Sequence, residues 1–370
     1  MIKNVSDILD SAKVLDVISE FVTLKRTGSN YTGLCPFHSE NTPSFMVNEK
    51  RNIYKCFGCG KGGGPVNFLM EHERMEYPEA LEWLGKKFNV KVEYEKVSKE
   101  AEEKARQEEG LRESLRAVYR AAEDFYVKQR ETLSGDVLGY YHYRFGTNGT
   151  LEHYGIGYAP NQWAALWTYL TDMQFQEDIL KESGLFVVAE KGNYIDLFRD
   201  RVVFPISDHY GRTIAFSARI HPQTDCSWYE KQGKKAPKYV NSPETLIFQK
   251  RKVLYGLDIA REAVRSGGVI NLVEGQTDVI ALQTSGLLNT AGVLGTALHE
   301  DHIALIRRYA TEVNLMPDND GAGSKALMDW GRMLLKAGLQ VSVTKLEGVK
   351  DWDEKIANCG TWNEKEIVKS

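Results

Sequence analysis

The sequence predicts a multidomain protein that combines the α/β and α+β classes, and three observations support this prediction. Cysteines and a histidine crowd into the first hundred residues among short apolar runs and many glycines, which is typical of a small metal-binding β module. From Gly267 onward, apolar strands alternate with helical segments, the pattern of an α/β unit with a mainly parallel sheet. The region between them mixes aromatic-rich segments with strand-like runs, which indicates an α+β region.

The chain of 370 residues is long enough for several domains, and composition divides it into parts. Residues 96–130 are rich in Glu, Lys, Arg and Ala, and their apolar residues reach helical spacing only after Leu111. We therefore expect four parts: a cysteine-rich domain at 1–95, a charged helical linker at 96–130, a basic α+β subdomain at 131–260 and an α/β subdomain at 261–370.

Composition also excludes some classes of protein. No apolar stretch approaches the roughly 18 residues of a membrane span, and the N-terminus lacks the apolar region of a secretory signal. We therefore expect a cytoplasmic protein without a membrane partner. The formal net charge of −4 argues against coating nucleic acid by bulk charge, so any contact with nucleic acid must come from local basic patches.

The cysteine cluster has the spacing of a metal site. Cys35 and His38 form one pair, Cys56 and Cys59 form another, and 17 residues separate the two pairs. Four such ligands saturate a tetrahedral zinc ion and leave no open position for a catalytic water. We therefore expect one structural zinc. Basic and aromatic residues around the cluster suit single-stranded nucleic acid.

Acidic residues follow three strands of the predicted α/β unit. The first cluster contains Glu274 and Asp278, and the other two follow in the order Asp318, Asp320, then Asp351, Asp353. Because ligands bind at the carboxyl ends of strands in open α/β sheets, these carboxylates are expected to share one edge. Their hard oxygen ligands suit Mg²⁺ or Mn²⁺, which support nucleotidyl transfer or phosphodiester cleavage.

Basic residues in the middle of the chain provide enough positive charge to line a groove for phosphates. A lysine-rich segment runs from 231 to 252, and interleaved Tyr239 and Pro243 suggest an ordered loop. The candidate template-binding and nucleotide-binding residues of this region are Arg144, Arg199, Arg201, Arg219, Lys238, Asn241 and Lys250.

These regions, in this order, resemble the DnaG-type bacterial primases. Segments 34–45 and 54–60 are similar to the CHC2 zinc ribbon of that family. The polymerase N-terminal subdomain of the family is similar to this chain at segments 155–160, 198–205, 237–244 and 254–256. Its Toprim subdomain is resembled by segments 273–279, 295–297, 318–323 and 350–353.

The resemblance implies a DNA primase, a DNA-directed RNA polymerase that uses a single-stranded DNA template and ribonucleoside triphosphates. Glu274 matches the essential glutamate of the family, and with Asp318 and Asp320 it forms the expected catalytic set. The metal-binding aspartates are matched by Asp318, Asp320, Asp351 and Asp353. Positions contacting template or nucleotide phosphates are matched by Arg144, Arg219, Lys238, Asn241 and Lys250.

The sequence also departs from the family. Asp-Pro-Asp is replaced by Asp-Trp-Asp at 351–353, which bears on the turn that presents Asp353, and Gly-Gly-Arg is replaced by Ser-Ala-Arg at 217–219. The sequence stops at Ser370, whereas the family continues with a helical subdomain and a helicase-binding domain, so a replicative helicase stays open as a partner. Two alternatives also stay open: a Toprim nuclease and a non-catalytic module that binds single-stranded DNA.

Overall fold

A computed structural model of the chain describes residues 2–359 except 39, 74, 76, 95–98, 147–148, 190–191, 296, 320 and 347. Asp320, one of the predicted catalytic carboxylates, therefore lies outside the described residues. The chain divides into two compact units, Met1–Ala105 and Arg106–Ser370. None of the helices in this described part has the length and apolar character of a membrane span.

The first unit is built on an antiparallel sheet in the order β1-β2-β3-β4-β5. Its strands are β1 (Lys25–Thr27), β2 (Asn30–Gly33), β3 (Phe45–Asn48), β4 (Ile53–Cys56) and β5 (Gly62–Gly63). Its helices are α1 (Val5–Ser11), α2 (Val14–Ile18), α3 (Pro65–His72) and α4 (Tyr77–Lys87). Phe45 and Val47 alternate inward on β3 opposite Cys56 and Tyr54 on β4, so the end of β4 brings Cys56 into the core.

A long helix, α5 (Lys99–Glu131), runs from the first unit into the second. Only its later turns carry apolar residues at helical spacing, and these are buried, among them Val118, Tyr119, Ala122 and Tyr126. The rings of Tyr119 and Tyr126 contact Phe216 at centroid distances of 5.5 and 5.3 Å. The C-terminal half of α5 therefore covers one face of the sheet that contains Phe216.

That sheet is antiparallel, in the order β11-β10-β9-β6. Its strands are β6 (Gly157–Ala159), β9 (Arg201–Ser207), β10 (Thr213–Arg219) and β11 (Tyr239–Asn241), and a separate hairpin pairs β7 (Phe186–Val188) with β8 (Tyr194–Asp196). The helices of this region are α6 (Gly135–Phe145), α7 (Thr150–His153), α8 (Ala165–Asp172), α9 (Glu177–Glu182), α10 (Ser227–Lys231) and the 3-10 helix Lys250–Lys252. The carboxylate of Asp208 accepts the amides of Tyr210 and Arg212, which closes the turn between β9 and β10.

The remaining residues form an α/β layer whose sheet is parallel throughout, in the order β13-β12-β14-β15. Its strands are β12 (Val269–Val273), β13 (Thr290–Gly292), β14 (Glu312–Leu315) and β15 (Gln340–Val343). Its helices are α11 (Leu257–Gly267), α12 (Gln276–Thr284), α13 (Glu300–Arg307), α14 (Gly321–Lys336) and α15 (Trp352–Cys359). The predicted fold class is confirmed. Because the strands are parallel, the carboxyl ends of β12, β14 and β15 lie at one edge of the sheet.

Candidate functional site

The predicted zinc ligands come together in the first unit. The ligand atoms of Cys35, His38, Cys56 and Cys59 all lie within 4.8 Å of one another. The Sγ atoms of Cys35 and Cys59 are 3.8 Å apart, and Cys56 Sγ lies 3.9 Å from His38 Nδ1. Two sulfurs bound tetrahedrally to one zinc at about 2.3 Å would be about 3.8 Å apart, so these residues fit a structural zinc ion.

A carboxylate that sequence reasoning did not single out orders this site. Glu40 accepts the backbone amides of Cys35 and Ser44 at 2.7 and 3.0 Å, and it lies 3.3 Å from His38 Nε2. The hydrogen bond from the Ser44 hydroxyl holds the pKa of Glu40 below its usual value. A ligating histidine is commonly oriented by a carboxylate on its second nitrogen, so Glu40 leaves His38 Nδ1 facing the metal position. Its place two residues after His38 in the sequence is the one available signal.

The backbone around the second cysteine pair also favours thiolate ligands. The amides of Gly58 and Cys59 point at Cys56 Sγ from 3.3 and 3.4 Å. Burial opposes ionisation of Cys56, but the hydrogen bonds from Ser44 and these amides outweigh it and lower the pKa of the thiol. A Cβ at Gly58 would lie 2.6 Å from His38 Nε2, so this position requires glycine.

In the second unit, acidic residues gather at the carboxyl edge of the parallel sheet. Glu274 directly follows β12, Asp318 follows β14, and Asp351 and Asp353 flank the first residue of α15. The backbone amide of Asp353 donates to Asp278 Oδ1 at 3.1 Å, which joins the starts of α12 and α15. We call the five residues Glu274, Asp278, Asp318, Asp351 and Asp353 the acidic edge.

Asp278 lies in the first acidic cluster of the sequence, but the family resemblance gave it no role of its own. Its side chain is buried, and this burial, reinforced by the charges of Asp318, Asp353 and Asp351, raises its pKa well above the usual value. Three of the predicted metal-binding carboxylates therefore lie close enough to Asp278 for their charges to raise its pKa. It lies on the first turn of α12, four residues after Glu274, and its burial there could not be predicted from that spacing.

Predicted basic residues face the acidic edge from the neighbouring α+β region. Arg144, on α6, forms an ion pair with Asp353. Burial raises the pKa of Asp353, although Arg144 opposes this shift. Burial and the nearby charges of Arg219, Lys350 and Arg144 lower the pKa of Lys238, whereas Asp351 raises it. Cations and carboxylates that lie far apart in the sequence are thus close enough to interact, and we call the region formed by Arg144, Arg219, Lys238 and the acidic edge the groove.

Contacts between β10 and α12 fix the position of this groove. Gln276 Nε2 donates to Ser217 Oγ at 2.9 Å, and Ser217 is paired in register with Asn241 on β11. The guanidinium of Arg219 lies 5.5 Å from the ring centroid of Tyr239. Lys250 lies on the short 3-10 helix, where its carbonyl is 3.0 Å from His302 Nε2.

The tryptophan that replaces the family's proline is part of the core. Trp352 is fully buried, and its indole Nε1 donates to the carbonyl of Met316 at 3.0 Å. Met316 lies between β14 and Asp318, so this bond links two segments of the acidic edge.

Arg199 and Arg201 line a neighbouring pocket instead of the groove itself. Arg199 stacks over Trp163 at 4.3 Å from the ring centroid, and Trp228 contributes to the same pocket. Arg201 is only 2% exposed, and its Nη1 donates to the carbonyl of Pro237 at 3.0 Å. Because Pro237 directly precedes Lys238, this pocket and the groove share a segment of chain.

Family comparisons match the chain in three consecutive regions. The CHC2 zinc finger matches residues 2–100, the N-terminal domain of the DNA primase catalytic core matches 125–261, and a Toprim-like domain matches 271–356. A DNA primase of Staphylococcus aureus (strain COL) is 37% identical over 358 residues, which are 96% of this chain and 58% of that relative. The chain thus spans less than two thirds of the length of this curated relative.

Solved structures give the same picture. A crystal structure of the Aquifex aeolicus primase, with its zinc binding and RNA polymerase domains, is 33% identical and has a TM-score of 0.60. The match covers 97% of this chain and 83% of that chain. A DnaG primase catalytic domain bound to ssDNA is 29% identical with a TM-score of 0.58, covering 67% of this chain and 78% of that chain.

Proposed function

We propose that this chain, which belongs to the DnaG-type family of bacterial DNA primases, synthesises short RNA primers on single-stranded DNA in the cytoplasm. The observation that carries the proposal is the meeting of the acidic edge with cations from α6, β10 and the segment before β11. Such a groove can hold divalent ions and the phosphates of a nucleotide together, which is what nucleotidyl transfer requires.

The carboxylates would hold the divalent ions. Glu274, Asp318, Asp351 and Asp353 offer hard oxygen ligands at one edge of the sheet, and the predicted Asp320 would extend the set. This donor chemistry fits Mg²⁺ or Mn²⁺. When bound, these ions neutralise charge on the phosphates and favour ionisation of the attacking 3′-hydroxyl.

The protein side chains would position the reactants. Arg144, Arg219 and Lys238 would bind phosphate oxygens of an incoming ribonucleoside triphosphate, and the Arg144–Asp353 pair would hold that arginine beside the carboxylates. Glu274 would assist proton transfer from the 3′-hydroxyl of the growing RNA. Asp278 would act as a positioning residue, because it accepts the amide of Asp353.

Each unit offers residues that would suit a single-stranded template. Arg199 and Arg201, with the stacked Trp163, offer cations and an aromatic face to an unpaired strand. Asn241 and Lys250 are further proposed contacts with template or nucleotide. In the first unit, Phe57 is 71% exposed and lies between Lys55 and Lys61 in the sequence, a combination that also suits unpaired bases. A related DnaG primase catalytic domain was solved bound to ssDNA, which supports template binding by the catalytic region of this chain.

The test follows two products, labelled RNA and shortened DNA, together with DNA binding. Zinc-loaded protein is incubated with primer-free single-stranded DNA, labelled ribonucleoside triphosphates and Mg²⁺ or Mn²⁺. Short labelled RNA from the wild type, lost in Glu274→Gln but kept in the exposed control Glu262→Gln, supports the proposal. Shortened DNA instead would indicate a nuclease, and DNA binding without either product would indicate a binding module.

A further inference from the structure

One segment contributes to both the groove and the pocket around Arg199. The connection between β10 and β11 leaves β10 at Ile220 and returns at Lys238, and the amide of Ile220 donates to the carbonyl of Lys238 at 3.1 Å. We call residues 220–238 the arm. It carries α10, it begins directly after Arg219, and it ends at Lys238; both of these basic residues interact with the acidic edge.

The arm forms one wall of the pocket. Trp228, Tyr229 and Lys231 line it from α10, opposite Trp163 and Arg199. Trp163 and Trp228 are 53% and 44% exposed, so a ligand in the pocket could reach both indoles. Exposed indoles among cations form the kind of surface on which unpaired bases stack.

A buried donor in this pocket calls for an anion. Arg201 is almost completely buried, and its Nη1 is used by Pro237. Its Nη2 has no hydrogen-bond partner within the described part of the chain. A buried guanidinium donor without a partner is costly, and a phosphodiester oxygen entering the pocket beside Arg199 and Lys231 would satisfy it.

A single carboxylate holds the arm against residues 199–201, which lead into β9. Asp200 lies between Arg199 and Arg201 in the sequence. Its carboxylate accepts hydrogen bonds from His221 Nε2 at 2.9 Å and from the backbone amide of Asp225 at 2.8 Å. The amide of Gln223 donates to His221 Nδ1 at 3.2 Å, so Nε2 carries the proton given to Asp200. Further bonds come from the Tyr158 hydroxyl to this carboxylate and from the Thr224 hydroxyl to the Asp200 carbonyl.

We propose that the arm clamps the unpaired template strand: Trp228 stacks on a base, Lys231 contacts a phosphate, and Asp200 positions the arm. The occupant is a single DNA strand, because the bases of a duplex are stacked on one another and cannot offer a face to Trp228. The proposal rests on the function proposed above and adds Trp228, Lys231 and Asp200 to it. Since the arm ends at Lys238, which is a proposed phosphate contact, the strand would be held next to the nucleotide site.

The test is equilibrium binding of a fluorescein-labelled oligodeoxythymidine by the full chain without divalent ions, followed by anisotropy over a series of salt concentrations. Trp228→Ala is expected to weaken binding about 5- to 150-fold, because one stacked base is lost. Lys231→Ala is expected to reduce the slope of log K against log salt by about 0.7, because one phosphate contact is lost. Lys181→Ala, at an exposed lysine of α9, is the matched control and should change neither.

Asp200→Ala tests the positioning role. With circular dichroism unchanged, it should weaken oligodeoxythymidine binding as Trp228→Ala does and raise the KM for template while kcat is kept. Wild-type binding in Asp200→Ala would overturn this role. Asp200→Asn keeps one acceptor oxygen and should bind more tightly than Asp200→Ala.

The failures are distinguishable. If the wild type binds the oligonucleotide and makes primers while Trp228→Ala and Lys231→Ala behave like Lys181→Ala, the arm proposal is overturned and the proposed function stands. If the wild type does not bind single-stranded DNA at all, both fall. Equal weakening of duplex binding, or weakening confined to an RNA oligonucleotide, would show that the arm does not hold the template.

Discussion

Replacing Trp352 by alanine should lower the free energy of unfolding without removing a carboxylate of the acidic edge. The indole is fully buried between Asp351 and Asp353, so its loss leaves a cavity that costs about 3–5 kcal/mol. The Met316 carbonyl also loses its donor, which adds about 1–3 kcal/mol if no water replaces it. The sum, about 4–8 kcal/mol, is comparable to the whole stability of many domains.

Urea unfolding followed by circular dichroism measures this cost. Trp352→Phe keeps most of the packing and loses the hydrogen bond, so it should lose about 1–3 kcal/mol. Tyr210→Ala, at a ring that is 65% exposed, should stay within about 0.5 kcal/mol of the wild type. A free energy of unfolding for Trp352→Ala within about 1 kcal/mol of the wild type would refute the reasoning that the buried indole and its bond to Met316 stabilise the fold.

Three further predictions concern zinc, charge and pH. Removing zinc with a chelator, or the Cys59→Ala substitution, should abolish the calorimetric unfolding transition of Met1–Ala105 and leave that of Arg106–Ser370. The reason is that binding of a structural zinc ion contributes about 10–16 kcal/mol to the free energy of folding. An unchanged transition of Met1–Ala105 would contradict this. Arg144→Ala leaves Asp353 buried without its ion-pair partner and should lower the free energy of unfolding in urea by about 3–5 kcal/mol. Arg144→Lys keeps the positive charge and should lower it less. Equal losses for the two variants would contradict the charge argument. Burial and the neighbouring carboxylates raise the pKa of Asp278, so the metal-free native state holds a proton that the unfolded state releases above about pH 4, and stability should fall as pH rises from there. Asp278→Asn should flatten this decline, and parallel stability profiles for the two proteins would contradict the assignment.

Local spacing carried the parts of the site that were predictable from sequence. The zinc ligands occur as two close pairs, and ligands in such pairs reach one ion in almost any compact arrangement, so Cys35 to Cys59 could be predicted to group together. Glu274 and Asp318 follow apolar strands of a parallel sheet, whose carboxyl ends lie at one edge, so their grouping also follows from pattern. The family itself was identified from such motifs, and the comparisons confirm it.

Contacts between distant segments were not predictable in this way. The burial of Arg201 depends on the carbonyl of Pro237, 36 residues later, and no periodicity encodes that approach. Likewise the pairing of Asp200 with His221 requires a specific path for the arm. Trp352 stood out in the sequence as a departure in a turn, whereas its function in the structure is to fill the core and bind Met316.

The measurement that tests the central claim most directly is ribonucleotide incorporation on primer-free single-stranded DNA by Asp318→Asn and by Asp329→Asn. Asp318 belongs to the acidic edge, and Asp329 is an exposed aspartate on α14, so the pair removes the same charge at a reactive and a neutral position. All proteins must first be shown to be folded, zinc-loaded and able to bind the DNA. We predict short RNA products from the wild type and Asp329→Asn and none from Asp318→Asn. RNA synthesis by Asp318→Asn at the wild-type rate, or none by the wild type, would contradict the claim that the acidic edge is a primase active site.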